Sequence, residues 1–284
     1  PQFVNGLQDL LQRLASATDT ETIKTVTNSL NQQFYSNPIC VPALLAIAKD
    51  HQQWQIRQLA AVEMRKRIPV FWGELGDETQ QQIRETVLQM ILSETKDLTR
   101  HSLARVISSI AELDIPNKRW GELIQFLYQC CQSTTAAHRE IGVYVLDSLF
   151  ETIADTLSEH MQHLFELFAG LINDPESIVV QVTTMEALGK IADFIEPEER
   201  AAIHAFQGLV PAMVGVLQKC LEKEDEDSAS RCFEVFSSML LLETPLINRH
   251  FGELVEFSTR VAGNEELEDS LRNLALNFLL CAAT

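Results

Sequence analysis

Carboxylate side chains are the residues of this 284-residue chain best suited to chemistry, and the chemistry they offer is the binding of cations and basic groups. The chain has 40 acidic and 22 basic side chains, for a net charge of −18. Residues 1–150 carry 16 acidic and 14 basic side chains, whereas residues 151–284 carry 24 and 8. The strongly acidic surface expected of residues 151–284 repels nucleic acid and speeds the encounter with basic partners. The alternative is that the charge only keeps a long surface soluble.

Residues that could bind a metal or catalyse a reaction are few. His160 and His163 would place two imidazoles on one helix face, with Glu159 and Glu166 nearby, but such pairs are common on surface helices and further ligands are absent. The chain has no phosphate-binding glycine-rich loop and no nucleophile motif. Its six cysteines form no C-x-x-C pair, which predicts reduced thiols. We therefore predict neither an enzyme nor a bound metal or cofactor.

These side chains are positioned by a recurring amphipathic segment, in which a polar anchor is followed in most copies by apolar residues at +6, +7, +10 and +11. The copy at Arg57 keeps only Met64 and Ile68, and the copy at Arg231 fits less well and could be shifted by one residue. The anchors are Lys24, Arg57, Arg100, Arg139, Gln181, Arg231 and Arg272. They are separated by 33, 43, 39, 42, 50 and 41 residues, which apart from the short 33 and the long 50 lie within or near the roughly 40 to 47 of HEAT and armadillo arrays. Because the offsets are those of a helix face, each anchor marks an amphipathic helix, which we call B.

A second helical pattern, called A, precedes each B helix, so the sequence predicts an all-α solenoid of about seven two-helix HEAT repeats. The predicted repeats are 1–36, 37–75, 76–117, 118–157, 158–196, 197–243 and 244–284. The 50-residue interval between Gln181 and Arg231 is attributed to an acidic loop at 222–227, and Pro211 predicts a kink or a break in the A helix of the sixth repeat. The apolar last helix, 274–283, predicts that the array continues. No leader peptide or membrane-spanning segment is predicted.

Positions +1, +5, +8 and +12 of each B helix lie opposite the buried stripe and should be exposed. In the third repeat this face is polar to basic, whereas in the fourth and fifth it turns acidic. These positions are His101, Arg105, Ser108 and Glu112; Glu140, Tyr144, Asp147 and Glu151; and Val182, Glu186, Gly189 and Asp193. We predict that Glu140, Asp147, Glu151, Glu186 and Asp193 form a ladder that binds basic side chains of one extended cargo segment. The alternative is an ordinary solvated helix face.

The second B helix carries a family resemblance. Within residues 58–72, an alanine, a bulky apolar residue, a basic pair, an isoleucine and a closing tryptophan follow one another as Ala61, Met64, Arg65-Lys66, Ile68 and Trp72. This pattern resembles the amino-terminal signature of the importin-β superfamily of nuclear transport receptors. Segments 36–45 and 224–236 are similar to its importin-four branch, whose fungal members carry ribosomal proteins and histones.

The resemblance implies a nuclear import receptor that shuttles between cytoplasm and nucleus. It would bind basic cargo, the GTP state of the small GTPase Ran through amino-terminal B helices, and Phe-Gly nucleoporins through A helices. The Ran candidates are Gln32, Gln58, Arg65, Arg105 and Glu112. Leu167 and Val216, as apolar residues off the buried stripe of an A helix, are the nucleoporin candidates, although packing against the next repeat is the alternative. A monomer is expected, with no nucleic-acid partner and no membrane insertion.

Two other functions remain open at this stage. The array could be a static scaffold subunit of a multiprotein complex, or an export receptor of the same superfamily. The acidic run 222–227 could hold cargo or modulate Ran binding, or it could be only a solvated loop.

Overall fold

The protein is described by a computed structural model that covers residues 2–157 and 161–283, without the side chains of residues 151 and 153–157. In this part of the chain it has fourteen α-helices and no strand. The helices are α1 (Gln2–Ser16), α2 (Thr20–Gln33), α3 (Cys40–Asp50), α4 (Trp54–Phe71), α5 (Asp77–Ser93), α6 (Asp97–Asp114), α7 (Glu122–Cys131), α8 (Ala136–Leu157), α9 (Met161–Leu171), α10 (Ile178–Ala192), α11 (Arg200–Glu222), α12 (Glu226–Met239), α13 (Phe251–Gly263) and α14 (Asp269–Ala282). The all-α prediction is confirmed, and odd-numbered helices fall on the predicted A segments while even-numbered helices contain the seven anchors.

The chain divides into two compact units, residues 1–125 and residues 126–284, with the boundary inside α7. In the first unit α3 packs on α4, α4 on α6, and α5 on both α3 and α6. The core between them is formed by the predicted apolar stripes, of which Leu44, Met64, Val87 and Ile107 are fully buried. An isolated helix pair cannot cover such stripes, so neighbouring pairs must stack.

In the second unit the even-numbered helices form a continuous row, α8 beside α10, α10 beside α12 and α12 beside α14. The odd-numbered α9 and α11 pack against each other and against α10. Phenylalanines dominate this core, and Phe168, Phe206, Phe233 and Phe278 are at most 1% exposed. Helix α8 approaches the end of α7 so closely that a Cβ on Gly142 would lie 2.7 Å from Cys131 Sγ. Glycine is therefore the residue that permits this approach.

Helix α11 corrects the predicted break at Pro211 and the predicted origin of the 50-residue interval. It runs over 23 residues without a break at Pro211, because the flanking turns are held by burial of Phe206, Met213 and Leu217. The 50-residue interval between Gln181 and Arg231 therefore comes mainly from the length of this helix and not from an inserted acidic loop. Although α11 is long and apolar enough to cross a bilayer, it packs on α9, α10 and α12 as one helix of the stack.

The acidic run 222–227 is a tight helix connection and not a loop. Glu222 ends α11, and Glu226 already begins α12. Between them, Asp225 caps α12 by accepting a hydrogen bond from the backbone N–H of Ser228 at 3.1 Å, and Glu224 has a φ of +56°. Acidic side chains are favoured at this end of a helix because they complement its dipole. Much of the run thus has a local structural role.

Candidate partner-binding surfaces

Two of the arginine anchors, Arg57 and Arg139, are clamps between successive repeats. Arg57 binds Glu94 through two parallel hydrogen bonds, Nε to Oε2 and Nη2 to Oε1, both of 2.8 Å. Its Nη1 also donates to the main-chain carbonyl of His51 at 3.0 Å. Burial raises the pKa of Glu94, but the bonds from Arg57 and from backbone N–H groups outweigh it and hold that pKa below its usual value. The anchor therefore joins the A–B turn of its own repeat to that of the next.

Arg139 repeats this arrangement in the second unit. Its Nε and Nη2 donate to the two carboxylate oxygens of Asp174 at 2.5 and 3.1 Å, and its Nη1 donates to the carbonyl of Ser133 at 2.9 Å. Asp174 also accepts the backbone N–H groups of Glu176 and Ser177. The sequence identified these anchors by their spacing, but their ion-pair partners lie 35 and 37 residues away and only the fold brings them together.

In the first unit a buried carboxylate contacts the last residue of the signature segment, residues 58–72. Asp114 is fully buried, accepts the indole N–H of Trp72 at 2.9 Å on Oδ1, and accepts Arg84 Nη1 at 2.7 Å on Oδ2. Arg119 lies 3.3 Å from the same Oδ1. Gln80 completes the network by donating to the carbonyl of Trp72 at 2.6 Å. Trp72 thus joins the end of α4 to the end of α6, a structural role that sequence reasoning missed.

The five Ran candidates all lie on even-numbered helices of the first unit. Gln32 on α2, Arg65 on α4, and Arg105 and Glu112 on α6 are exposed, and Gln58 at the start of α4 is half-buried. The expected exposure of Ser108 is wrong. It is buried, and its hydroxyl donates to the carbonyl of Ala104 at 3.0 Å.

The basic cluster at the end of α4, residues 65–67, contains two side chains with local contacts and one that is free to meet a partner. Arg67 stacks over the ring of Tyr35 at 4.0 Å and lies 3.3 Å from the carboxylate of Glu63. Lys66 Nζ also pairs with Glu63, at 2.5 Å. Arg65 is exposed and makes no ion pair with any described residue. Of the three, Arg65 is the guanidinium best placed to meet a partner.

The predicted acidic ladder of the second unit is not an open row of carboxylates. Glu140 accepts the hydroxyl of Ser177 at 2.7 Å, Asp147 pairs with Lys190 at 3.0 Å, and Glu186 pairs with Arg231 at 3.1 Å. All three carboxylates are half-buried. The expectation of free, solvated carboxylates is therefore wrong, because each takes a polar partner from the next even-numbered helix or, for Glu140, from the residue that caps that helix.

Two other members of the ladder, and one further position of the face predicted to be exposed, differ from these three carboxylates. Asp193 is exposed at the end of α10. The side chain of Glu151 lies outside the described part of the structure. Val182, expected on the exposed face, is 1% exposed, because α10 is covered by α8 on one side and by α12 on the other.

Burial shifts the pKa values of the two carboxylates that are paired with cations, Asp147 and Glu186. It raises the pKa of Asp147, and the hydrogen bond and positive charge of Lys190 only partly offset it. It also raises the pKa of Glu186, where Arg231 acts in the opposite direction and the charge of Asp147 adds to the rise. The two carboxylates are therefore close enough to influence each other, and burial outweighs the effect of Lys190 and Arg231 on their pKa values.

The nucleoporin candidates are both buried, so the expectation that they lie off the buried stripe is wrong. Val216 is 1% exposed and shares the inner stripe of α11 with Met213 and Leu217. Leu167 is 9% exposed, at the floor of a groove of about 760 Å³ between α7 and α9 that Tyr128 also lines. The rotation of each odd-numbered helix is set by neighbours on two sides, which a single-helix pattern does not include.

A second groove, of about 840 Å³, lies between α9 and α11 and is lined by Phe165, Ala169 and Leu209. Both grooves separate odd-numbered helices of the second unit and are wide enough to accept an apolar side chain. The histidine pair considered for metal binding is incompletely described, since His160 and Glu159 lie outside the described residues. Among the residues that are described, no group of three His, Cys, Asp or Glu side chains suits a metal ion.

Comparison with known protein families gives two matches that together cover most of the chain. The Importin-beta N-terminal domain matches residues 26–93. The family described as IPO5-like, TPR repeats matches residues 95–257. The first match contains the signature segment of α4, and the second covers more than half of the chain.

Similar proteins agree with these families. The protein named "Probable importin subunit beta-4" of Schizosaccharomyces pombe is 33% identical over 98% of this chain and 26% of its own length. Importin-4 of Mus musculus is 28% identical over 94% of this chain and 24% of its own. This chain therefore spans about a quarter of the length of these relatives.

Solved structures show the same fold. The crystal structure of Kap121p superposes with a TM-score of 0.81 at 23% identity, covering 99% of this chain and 27% of Kap121p. Kap121p bound to Nup53p superposes with a TM-score of 0.79 at 23% identity, again over 99% of this chain and 27% of Kap121p. At this identity the likeness extends to the helical solenoid fold alone.

Proposed function

This chain belongs to the importin-β superfamily, a family of transport receptors and not of enzymes, and on that premise we propose that it forms the amino-terminal part of a nuclear import receptor. The receptor binds basic cargo and releases it when Ran-GTP binds. The observation that carries the proposal is the succession of an Importin-beta N-terminal domain on 26–93 and IPO5-like repeats on 95–257.

The distribution of charge supports two partners of different character. Residues 1–125 carry 14 acidic and 13 basic side chains, whereas residues 126–284 carry 26 and 9. A nearly neutral, mixed surface suits a folded partner that brings both signs of charge. A strongly acidic surface suits a basic one, because it attracts that partner over a distance and speeds association.

Ran-GTP is assigned to the even-numbered helices of the first unit. The proposed contacts are Gln32, Gln58, Arg65, Arg105 and Glu112, of which only Gln58 is not fully exposed. Basic cargo is assigned to the second unit, at Glu140, Asp147, Glu186 and Asp193. Glu151 remains a candidate on the sequence pattern alone. A phenylalanine ring of a nucleoporin is assigned to the groove between α7 and α9, where Leu167 forms the floor.

The Ran assignment is tested by binding Ran, loaded with GTP or with GDP, to the immobilised chain. We expect GTP-selective binding that is lost in Arg65→Glu/Arg105→Glu, because two cations of the proposed contact surface become anions. Arg13→Glu/Lys49→Glu is the matched control, since it reverses two exposed charges on α1 and α3. Equal binding of both nucleotide states, or none, would contradict the assignment, and an equal loss in the control would move the contact elsewhere.

Shuttling between cytoplasm and nucleus is part of the same proposal. A receptor that loads basic cargo in one compartment and discharges it in the other must be present in both. Fusion of the full-length protein to a fluorescent reporter measures this directly, and exclusion from either compartment during a block of Ran-dependent export would contradict it.

A further inference from the structure

A row of acid–base pairs runs across the even-numbered helices of the second unit. Asp147 on α8 pairs with Lys190 on α10, at 3.0 Å from Oδ2 to Nζ. Glu186 on α10 pairs with Arg231 on α12, at 3.1 Å. Lys190 Nζ also donates to the main-chain carbonyl of Asp147 at 3.0 Å. In each pair the acid comes from one helix and the base from the next, so the fold itself supplies the cations that a basic ligand would bring.

Lys190 and Arg231, the internal cations of this row, do not satisfy all the hydrogen-bonding and charge requirements of the two carboxylates. Asp147 Oδ1 is buried and accepts no hydrogen bond from any described residue. The pKa of Asp147 and the pKa of Glu186 remain raised by burial although Lys190 and Arg231 lie against them. Further positive charge at this position would therefore be stabilised, because burial penalises a carboxylate most when its charge is unmatched.

Lys190 and Arg231 are also partly exposed to solvent. The side chains of Lys190 and Arg231 are 43% and 42% exposed, whereas those of Asp147 and Glu186 are 17% and 28% exposed. Ion pairs with a half-exposed member are weak, since water competes for the cation and long side chains lose entropy when held. The acids are thus the fixed part of the row, and the bases are the part that can be exchanged.

We propose that Lys190 and Arg231 are internal competitors of basic cargo, occupying Asp147 and Glu186 in the cargo-free chain and being displaced when two cationic side chains of a cargo segment replace them. The inference rests on the proposed function and adds how this surface selects its ligand. Neighbouring helices lie ~8–10 Å apart, and an extended segment advances ~3.3 Å per residue. The surface therefore favours cargo with basic residues about three positions apart over cargo with one isolated base.

The test measures the affinity of the chain for a fluorescent lysine- and arginine-rich peptide by anisotropy at low salt. The decisive variant is Lys190→Gln/Arg231→Gln, because glutamine keeps a donor for the neighbouring oxygens but removes the competing charge. Arg249→Gln/Arg260→Gln is the matched control, with the same change of net charge on residues whose described contacts include no carboxylate. We expect the decisive variant to bind about five- to tenfold more tightly than the control.

Three further measurements serve as controls. The advantage over the control should shrink as salt is added, since competition between exposed charges is screened. Thermal unfolding followed by circular dichroism establishes that each variant is folded. A peptide with glutamine at every basic position should bind none of the proteins.

Each outcome decides a different point. Binding of the Lys190→Gln/Arg231→Gln chain no tighter than the control overturns the inference while leaving the cargo surface in place. Asp147→Asn/Glu186→Gln tests the surface itself, and undiminished peptide binding by that variant removes both the surface and the inference. If the wild type fails to bind and only the decisive variant binds, competition by Lys190 and Arg231 is supported in its strongest form. Failure of every variant to bind rejects both.

Discussion

Two buried carboxylate sites, one in each compact unit, are paired in opposite ways. In the first unit Asp114 is sealed by Trp72 and Arg84, and no part of it reaches solvent. In the second unit Asp147 and Glu186 are half-buried, and each is paired with a cation that is itself partly in water. A sealed carboxylate holds helices together, whereas a carboxylate with an exchangeable partner can be used by a ligand.

The largest effect is expected from removing the sealed carboxylate, Asp114. Asp114→Ala leaves Arg84 buried without its counter-charge and the indole N–H of Trp72 without an acceptor, which should lower the free energy of unfolding by ~3–5 kcal/mol. Asp147→Ala in the second unit should cost below ~1 kcal/mol, because its partner can turn to water. Urea unfolding of both variants measures the difference, and comparable losses would contradict the contrast.

A smaller effect distinguishes Glu94 from Asp147 by pH. The pKa of Glu94 is lowered by Arg57 and backbone hydrogen bonds despite burial, so its stabilisation is present above the unfolded value of ~4.3 and disappears as the pH falls through the folded pKa. Glu94→Gln should therefore cost ~1.5–3 kcal/mol at neutral pH, and this cost should fade on acidification.

Asp147 should respond with the opposite sign. Burial raises its pKa, so its ionisation destabilises the folded state at neutral pH, and this cost is relieved as the pH falls through the raised pKa toward the unfolded value of ~3.9. Relative to wild type, Asp147→Asn should be most favourable at neutral pH and lose that advantage on acidification. Urea midpoints across this pH range, recorded for both variants, would contradict the comparison if the two differences had the same slope.

The smallest contrast concerns helix approach. A Cβ at Gly142 would lie 2.7 Å from Cys131 Sγ and 2.8 Å from Cys131 N, whereas one at Gly6 in the first unit would meet only the Phe34 ring, at 3.0 Å. Because a backbone nitrogen cannot move aside but a ring can, Gly142→Ala should cost ~1–3 kcal/mol and Gly6→Ala less than ~1 kcal/mol. Thermal unfolding compares them, and an equally tolerated alanine at Gly142 would mean that α7 and α8 can separate.

The positions of the helices were predictable from the sequence. Apolar residues at fixed offsets from seven anchors located all seven even-numbered helices, because a buried stripe with a period of 3.6 residues is a local property of the chain. Family membership was also accessible, since Ala61, Met64, Ile68 and Trp72 keep a recognisable order. The concentration of acidic charge in the second half follows from counting alone.

What faces solvent was decided by the tertiary structure. Lys190 reaches Asp147 from 43 residues away and Arg231 reaches Glu186 from 45, and Val216 is covered because α11 packs on several helices at once. Helical periodicity describes one helix in water, with one buried and one exposed face. In a stack each helix has neighbours on both sides, so the pairing and burial of its polar face depend on residues about forty positions away, whose placement only the folded chain determines.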